Sequence, residues 1–223
     1  MKRWKRSISL LLVCGILLTF APMSAMADVT TPVIAEADTR FPDVPTGHAA
    51  RVFILEAAER GIVRGFPNGN FNPNGTLTRA EAAMILWNMA ERPAARNPAT
   101  FTDIAGHWAA PAITWVAEMG IAAGRPGHLF APNDMIQRQE LFTLLWNFAR
   151  AYLEMNQFTL TPAESRPFQD QHLIRAGAEN AIMWLHAAGL VRGDGAGNVN
   201  PQGAANRAEI VVFVMRFIEE FMD

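Results

Sequence analysis

The apolar positions fall into two kinds of helical stripe that alternate along the chain. Phe53, Ile54, Ala57 and Ala58 share one face of a short helix. So do Ala112, Ile113, Val116 and Ala117, and again Ala181, Ile182, Leu185 and His186. Each stripe has an i, i+1, i+4, i+5 period and stops at a glycine, Gly61, Gly120 or Gly189, as a helix C-terminus prefers. Longer apolar runs predict second helices over about 78–91, 136–156 and 206–221. Between the two helices of each pair lies a turn-rich loop, Gly65 to Pro73 in the first pair. Each loop holds one apolar residue, Phe71, Phe130 or Val199, with Pro73, Pro132 or Pro201 two positions on. That residue is expected to plug the loop onto the helices.

The pairs are copies of one unit. Phe41-Pro42-Asp43, Phe101-Thr102-Asp103 and Phe168-Gln169-Asp170 open them. Gly65, Gly124 and Gly193 each precede a glutamate, Glu81, Glu140 or Glu209, by 16 residues. A register held three times marks a repeated structural unit. One helix–loop–helix is too small to bury a core, so units 41–91, 101–156 and 168–221 are expected to pack as a single all-α domain. Linkers Arg92–Thr100 and Asn156–Pro167 contain proline, and residues 28–40 read as a flexible N-terminal segment.

The start of each second helix carries the candidate chemistry. Thr78 with Glu81, three residues on and just before an apolar run, is a capping box, and Asn206 with Glu209 repeats it. Gln137 with Glu140 is a poorer version, because glutamine is not a preferred cap. Arg79, Arg138 and Arg207 then fall at the first helical position, where a cation opposes the helix dipole. Helix stability does not explain them. Two readings do: an anion held near the helix N-terminus, or a salt bridge to a neighbouring unit's Asp43, Asp103 or Asp170. Those aspartates read equally as turn or cap residues and as ligand contacts.

Composition narrows the partners. Lys2, Arg3, Lys5 and Arg6, an apolar run from Ile8 to Phe20, and Ala25-Met26-Ala27 read as a secretory leader over 1–27. Cleavage would leave 196 residues with 15 arginines, no lysine and 21 acidic residues, a formal charge of −6 against −2 for the whole chain. A negative balance argues against nucleic acid. Arginine without lysine suits planar capture of carboxylate or phosphate, and equally a genomic composition bias. The one cysteine, Cys14, lies in the leader and has no lipoprotein-type flank, so no disulfide, thiol chemistry or lipid anchor is expected. No later stretch approaches membrane-spanning length. His48, His107, His128, His172 and His186 lack metal-ligand spacing. Asp194-Gly195-Ala196-Gly197-Asn198 lacks the third oxygen ligand and closing glutamate of a calcium loop. No metal or cofactor is expected.

These motifs, in this order from Phe41 to Phe221, resemble the surface-layer homology (SLH) domain: Phe-x-Asp, His107-Trp108-Ala109, a Gly-x-x-x-Gly step, the turn-rich loop, and Thr78-Arg79-Ala80-Glu81. The resemblance implies a pseudo-threefold, three-pronged bundle with grooves between units. It also implies non-covalent binding of secondary cell-wall polysaccharide attached to peptidoglycan, often pyruvylated. Position by position, it carries groove roles to Asp43, Asp103 and Asp170, to Trp108, and to Arg79, Arg138 and Arg207. A guanidinium suits a pyruvyl carboxylate, an indole face suits a sugar ring, and an aspartate accepts from hydroxyls. The chain departs from the pattern where Trp108 is matched by Ala49 and Gly177, so one or two competent grooves are expected.

Trp87, Trp146 and Trp184 sit in apolar runs and read as core, whereas Trp108 opens its helix and reads as a surface platform. Three functional classes follow: a wall-polysaccharide anchor, a structural assembly or protein-docking module for an exported surface protein, and a glycan hydrolase. The third has no nucleophile–base pair to support it, so no enzyme is expected. The length leaves no room for a separate effector domain, which keeps the second open. Arg79 and Arg138 are expected to take the anionic group, Trp108 to stack, and Asp43 and Asp103 to take hydroxyls. On this reading Glu81→Ala costs about 0.5–2 kcal/mol of stability with little effect on ligand, and Arg138→Ala does the reverse.

Overall fold

The computed structural model describes residues 40–98, 100–156 and 167–222. The expected leader 1–27, nearly all of segment 28–40 and linker residues 157–166 lie outside the described residues. The described chain is helical: α1 (Arg51–Glu59), α2 (Arg79–Met89), α3 (Ala110–Glu118), α4 (Arg138–Met155), α5 (Glu179–Ala187) and α6 (Arg207–Phe221), with a 3-10 turn at Gln171–Leu173. Strand-like pairing among the described residues is confined to isolated bridges. None of these helices is long and apolar enough to cross a membrane.

Local chemistry sets the helix ends. Gly61, Gly120 and Gly189 sit at φ 71°, 66° and 71°, directly after the C-cap residues Arg60, Met119 and Ala188 of α1, α3 and α5. The following N–H reaches back to close the helix, as Ile62 does to Ala57 O at 2.8 Å. A second glycine set answers to close approach. A Cβ on Gly65, Gly124 or Gly193 would lie 2.5, 2.3 or 3.0 Å from a ring carbon of Phe41, Phe101 or Phe168. The opening phenylalanine of each unit thus lies on its own loop glycine, which accounts for their shared register. Phe71, Phe130 and Val199 plug the loops with no exposed surface.

The three units join in a cycle. α3 packs on α2, α5 on α4, and α1 on α6. Before the second helices, three backbone hydrogen bonds form a triangle. Leu77 N–H donates to Ala205 O, Ala205 N–H to Ile136 O, and Ile136 N–H to Leu77 O, at 2.9, 3.0 and 2.9 Å. Leu77, Ile136 and Ala205 are fully buried there. Beneath them, one apolar core runs through all three units, including Leu86, Leu145, Phe213 and Phe217. Each unit supplies only part of it, so each unit is expected to need the other two to bury its apolar face.

Candidate ligand groove

Each opening aspartate holds the loop of its own unit. Asp43 accepts from the N–H groups of Phe71 and Asn72 at 2.8 and 2.6 Å. Asp103 accepts from Phe130 and Ala131 at 2.8 and 2.7 Å. Asp170 accepts from Val199 and Asn200 at 2.9 and 2.7 Å. Asn72, Ala131 and Asn200 all have left-handed φ, near 59°, 56° and 48°, so the carboxylate fixes an otherwise costly turn. Burial raises the Asp103 carboxyl, but the N–H groups of Phe130 and Ala131 and the charge of Arg79 outweigh it and leave it below the ordinary value.

The three arginines point across unit boundaries. Arg79 donates from Nε to Phe130 O at 2.7 Å and from Nη2 to Ala123 O at 3.1 Å, and pairs with Glu140. Arg138 donates to Val199 O at 2.8 Å and pairs with Glu209. Arg207 donates to Phe71 O and Arg64 O, both at 2.9 Å, and to Glu81 at 3.3 Å. Their guanidinium carbons lie 4.6–5.1 Å from the ring centres of Phe130, Phe142 and Phe71. Where the sequence suggests an anion near the helix N-terminus, the structure supplies the next unit's glutamate. The first helical N–H groups are taken too: those of Arg79 and Ala80 go to Asp134 O and Pro132 O. Burial, with Arg125 nearby, lowers Arg79 to about 10, still protonated at neutral pH.

The caps differ between units. Both arms of the box are formed at Thr78–Glu81 and at Asn206–Glu209. Gln137 makes no capping bond to α4. Its Oε1 instead accepts from Gln139, whose own oxygen accepts from Arg175 N–H in the next unit at 2.8 Å. Glu81 is therefore both a cap and the counter-charge of Arg207.

Against α2 a groove of about 430 Å³ opens, a size usual for small-ligand sites. All three units line it. The first supplies an apolar floor with Ile62, Met84 and Trp87, and polar groups Arg64, Glu81, Asn88 and Arg92; the second supplies Trp108; the third supplies Arg207. Three arginines face one glutamate. The Trp108 indole is 59% exposed, open to a flat ligand rather than packed in the core. His107 anchors its segment: Nδ1 accepts from Ala109 N–H at 3.1 Å, and Nε2 lies 3.3 Å from Asn133 Oδ1, which fits an Nε2–H tautomer. A second depression, about 480 Å³, lies over the Phe66–Asn72 loop, but its one carboxylate, Asp43, already accepts two backbone N–H groups.

The structure thus brings Trp108 together with Arg207 and Glu81. Arg79, Arg138, Asp43, Asp103 and Asp170 do not line that groove. Arg64, Asn88 and Arg92 line it and were not singled out in the sequence. In the sequence Arg92 opens the proline-containing linker Arg92–Thr100, and its register equivalents are Ala151 and Glu220. The one available signal was the i, i+4 spacing of Asn88 and Arg92.

Comparison with known proteins agrees with the repeat. The model of the S-layer homology domain matches residues 40–83, 100–142 and 167–211. The chain is 32% identical over 197 residues to an S-layer protein of Bacillus thuringiensis subsp. finitimus, covering 88% of this chain and 23% of that protein. It is 32% identical over 163 residues to a cellulosome-anchoring protein of Acetivibrio thermocellus, covering 71% and 35%. It is 30% identical over 186 residues to an amylopullulanase of Thermoanaerobacterium thermosulfurigenes, covering 83% and 10%. The chain therefore spans no more than about a third of any of these relatives.

Proposed function

Because the chain belongs to the S-layer homology domain family, we propose that it attaches non-covalently to an anionic secondary cell-wall polysaccharide through the groove against α2. Membership places it at the cell surface, as a wall-anchoring module. Its role is binding and not catalysis. The match to the amylopullulanase covers only 10% of that enzyme, as expected of a module carried beside a catalytic part. The leader read over 1–27 supplies export on this reading.

The observation that carries the proposal is the pairing of an exposed indole with three arginines in one groove. A sugar ring offers an apolar face for Trp108, and a carboxylate such as a pyruvyl ketal offers oxygens for guanidinium groups. Arg79, Arg138 and the three aspartates act one step back, by holding the units and loops that shape the groove. Ala49 and Gly177 remove the indole at the two equivalent positions, so affinity concentrates in one groove. The same two losses favour a second reading, docking of another exported surface protein.

Co-sedimentation with purified sacculi, before and after mild acid removal of the secondary polymer, separates these readings. Binding lost on stripping is the expected result. Binding unchanged, or absent from both samples, would sink the polysaccharide reading and leave peptidoglycan or a protein partner.

A further inference from the structure

The arginine best placed to grip an anion in this groove is not one of the three in register. Arg207 has an acceptor at each nitrogen: Phe71 O at Nε, Glu81 at Nη1, Arg64 O at Nη2. It cannot offer a two-pronged face to a ligand without loosening the joint between the third and first units. Arg92 is built differently. α2 ends at Met89 after 11 residues, whereas α4 and α6 run on for 18 and 15. Glu91 and Arg92 then adopt left-handed φ of 63° and 57°, and Arg92 N–H turns back to Trp87 O at 2.9 Å. This turn brings Arg92 to the groove instead of along a continuing helix. Asn88 pins it: Oδ1 accepts from Arg92 Nε, and Nδ2 donates to Ile62 O on the groove floor, both at 2.9 Å. Among the described residues, Nη1 and Nη2 of Arg92 have no protein acceptor.

Resting on the groove reading above, we propose that Arg92, oriented by Asn88, is the oxyanion fork of the Trp108 groove, and that it selects a sugar bearing a carboxylate or phosphate. The two terminal nitrogens donate to both oxygens of such a group in the plane that Asn88 sets. The ring lies against Trp108, and the anion points away from it toward Arg92. Ala151 and Glu220 occupy the register positions in the other units, so the fork exists once.

The test uses the intact protein and three probes: a methyl hexoside with a 4,6-O-(1-carboxyethylidene) ketal, its neutral isopropylidene analogue, and a hexose 6-phosphate. Binding is followed by calorimetry and by sedimentation with untreated sacculi. Wild type is expected to prefer an anionic probe, and which one it prefers identifies the oxyanion. Arg92→Ala should weaken that probe by about tenfold or more, leave the neutral analogue unchanged, and leave the melting curve in place. Arg92→Lys should recover only part of the loss. Trp108→Ala should weaken anionic and neutral probes alike. Full retention of anion preference in Arg92→Ala, with binding lost in Trp108→Ala, overturns the fork and keeps the groove. Undiminished binding of sacculi and probes in both variants overturns the groove as well. A wild type that does not distinguish the anionic probes from the neutral one also overturns the fork.

Discussion

Asp103 shows how much of a unit hangs on one carboxylate. Its two hydrogen bonds fix Phe130, the loop plug, and Ala131, which holds a left-handed φ of 56°. Because the folded-state carboxyl lies below its ordinary value, it stabilises the fold above the unfolded-state value near 4, and that contribution disappears as pH falls through the folded value. Asp103→Asn is therefore expected to lower urea-unfolding stability at pH 7, with the gap to wild type closing as the pH falls below the unfolded-state value. A gap that does not change with pH would mean the charge is not what holds the loop. A second residue-scale expectation concerns the bend itself. A Cβ on Gly75 or Gly203 would lie 2.2 or 2.5 Å from Nδ2 of Asn72 or Asn200, whereas the middle unit pairs Ala131 with Asp134. Ala131→Asn alone should be destabilising by about 1 kcal/mol, because Asp134 fills the space an asparagine needs. The double variant with Asp134→Gly should regain that loss, a coupling that a double-mutant cycle in urea would read. The sequence marked the aspartates without saying what they grip, since their N–H partners lie 27–30 residues on.

At the scale of elements, the helices, their glycine stops and the loop plugs were legible because each is written in local spacing. What local spacing could not show is that one glutamate serves two helices. Glu81 closes the α2 cap through Thr78 N–H at 2.8 Å and also faces the buried Arg207 of another unit. Removing it uncaps α2 and leaves a guanidinium without its counter-charge. Glu81→Ala is thus expected to cost about 2–3 kcal/mol, more than the cap alone, against about 1 kcal/mol for Asn206→Ala. Equal losses in chemical denaturation would show that the Arg207 pair contributes nothing. α4 offers the opposite case. Gln137 has the extended backbone of an N-cap, φ −74° and ψ 152°, but makes no capping bond. Gln137→Ser should raise the melting temperature by an amount equivalent to about 0.5–1 kcal/mol, less whatever the bond to Gln139 contributes. The groove was less legible than the helices. Arg92 and Asn88 stand outside the repeating motif, and Arg207 reaches Glu81 from 126 residues away.

In the whole molecule, the arginines, the backbone triangle and the helix packing all close the same cycle, first unit to second, second to third, third to first. The chain is covalently continuous at only two of those joints; the third, made by α1 on α6 and by Arg207, is held by contacts alone. That joint also places Arg207 in the groove that Trp108 lines, so the groove against α2 is walled by all three units. Two consequences follow together. A protein stopped after residue 156 loses the carbonyls of Pro201 and Gly203 that accept from Gln139 and Arg138, the Ala205 corner of the triangle, and the Phe213–Phe217 part of the core. It is expected to show no cooperative thermal transition, although two complete helix–loop–helix units remain. In the intact protein, Arg79→Ala and Arg207→Ala, at different joints, should each lower a single transition without splitting it, by about 3–5 kcal/mol in stability. A two-unit fragment that melts cooperatively, or a variant that melts in two steps, would mean that the joints act independently. The groove would then survive opening of the cycle. If the cycle melts as one, a ligand that bridges Trp108 of the second unit and Arg92 beside α2 should raise the melting temperature of the whole molecule.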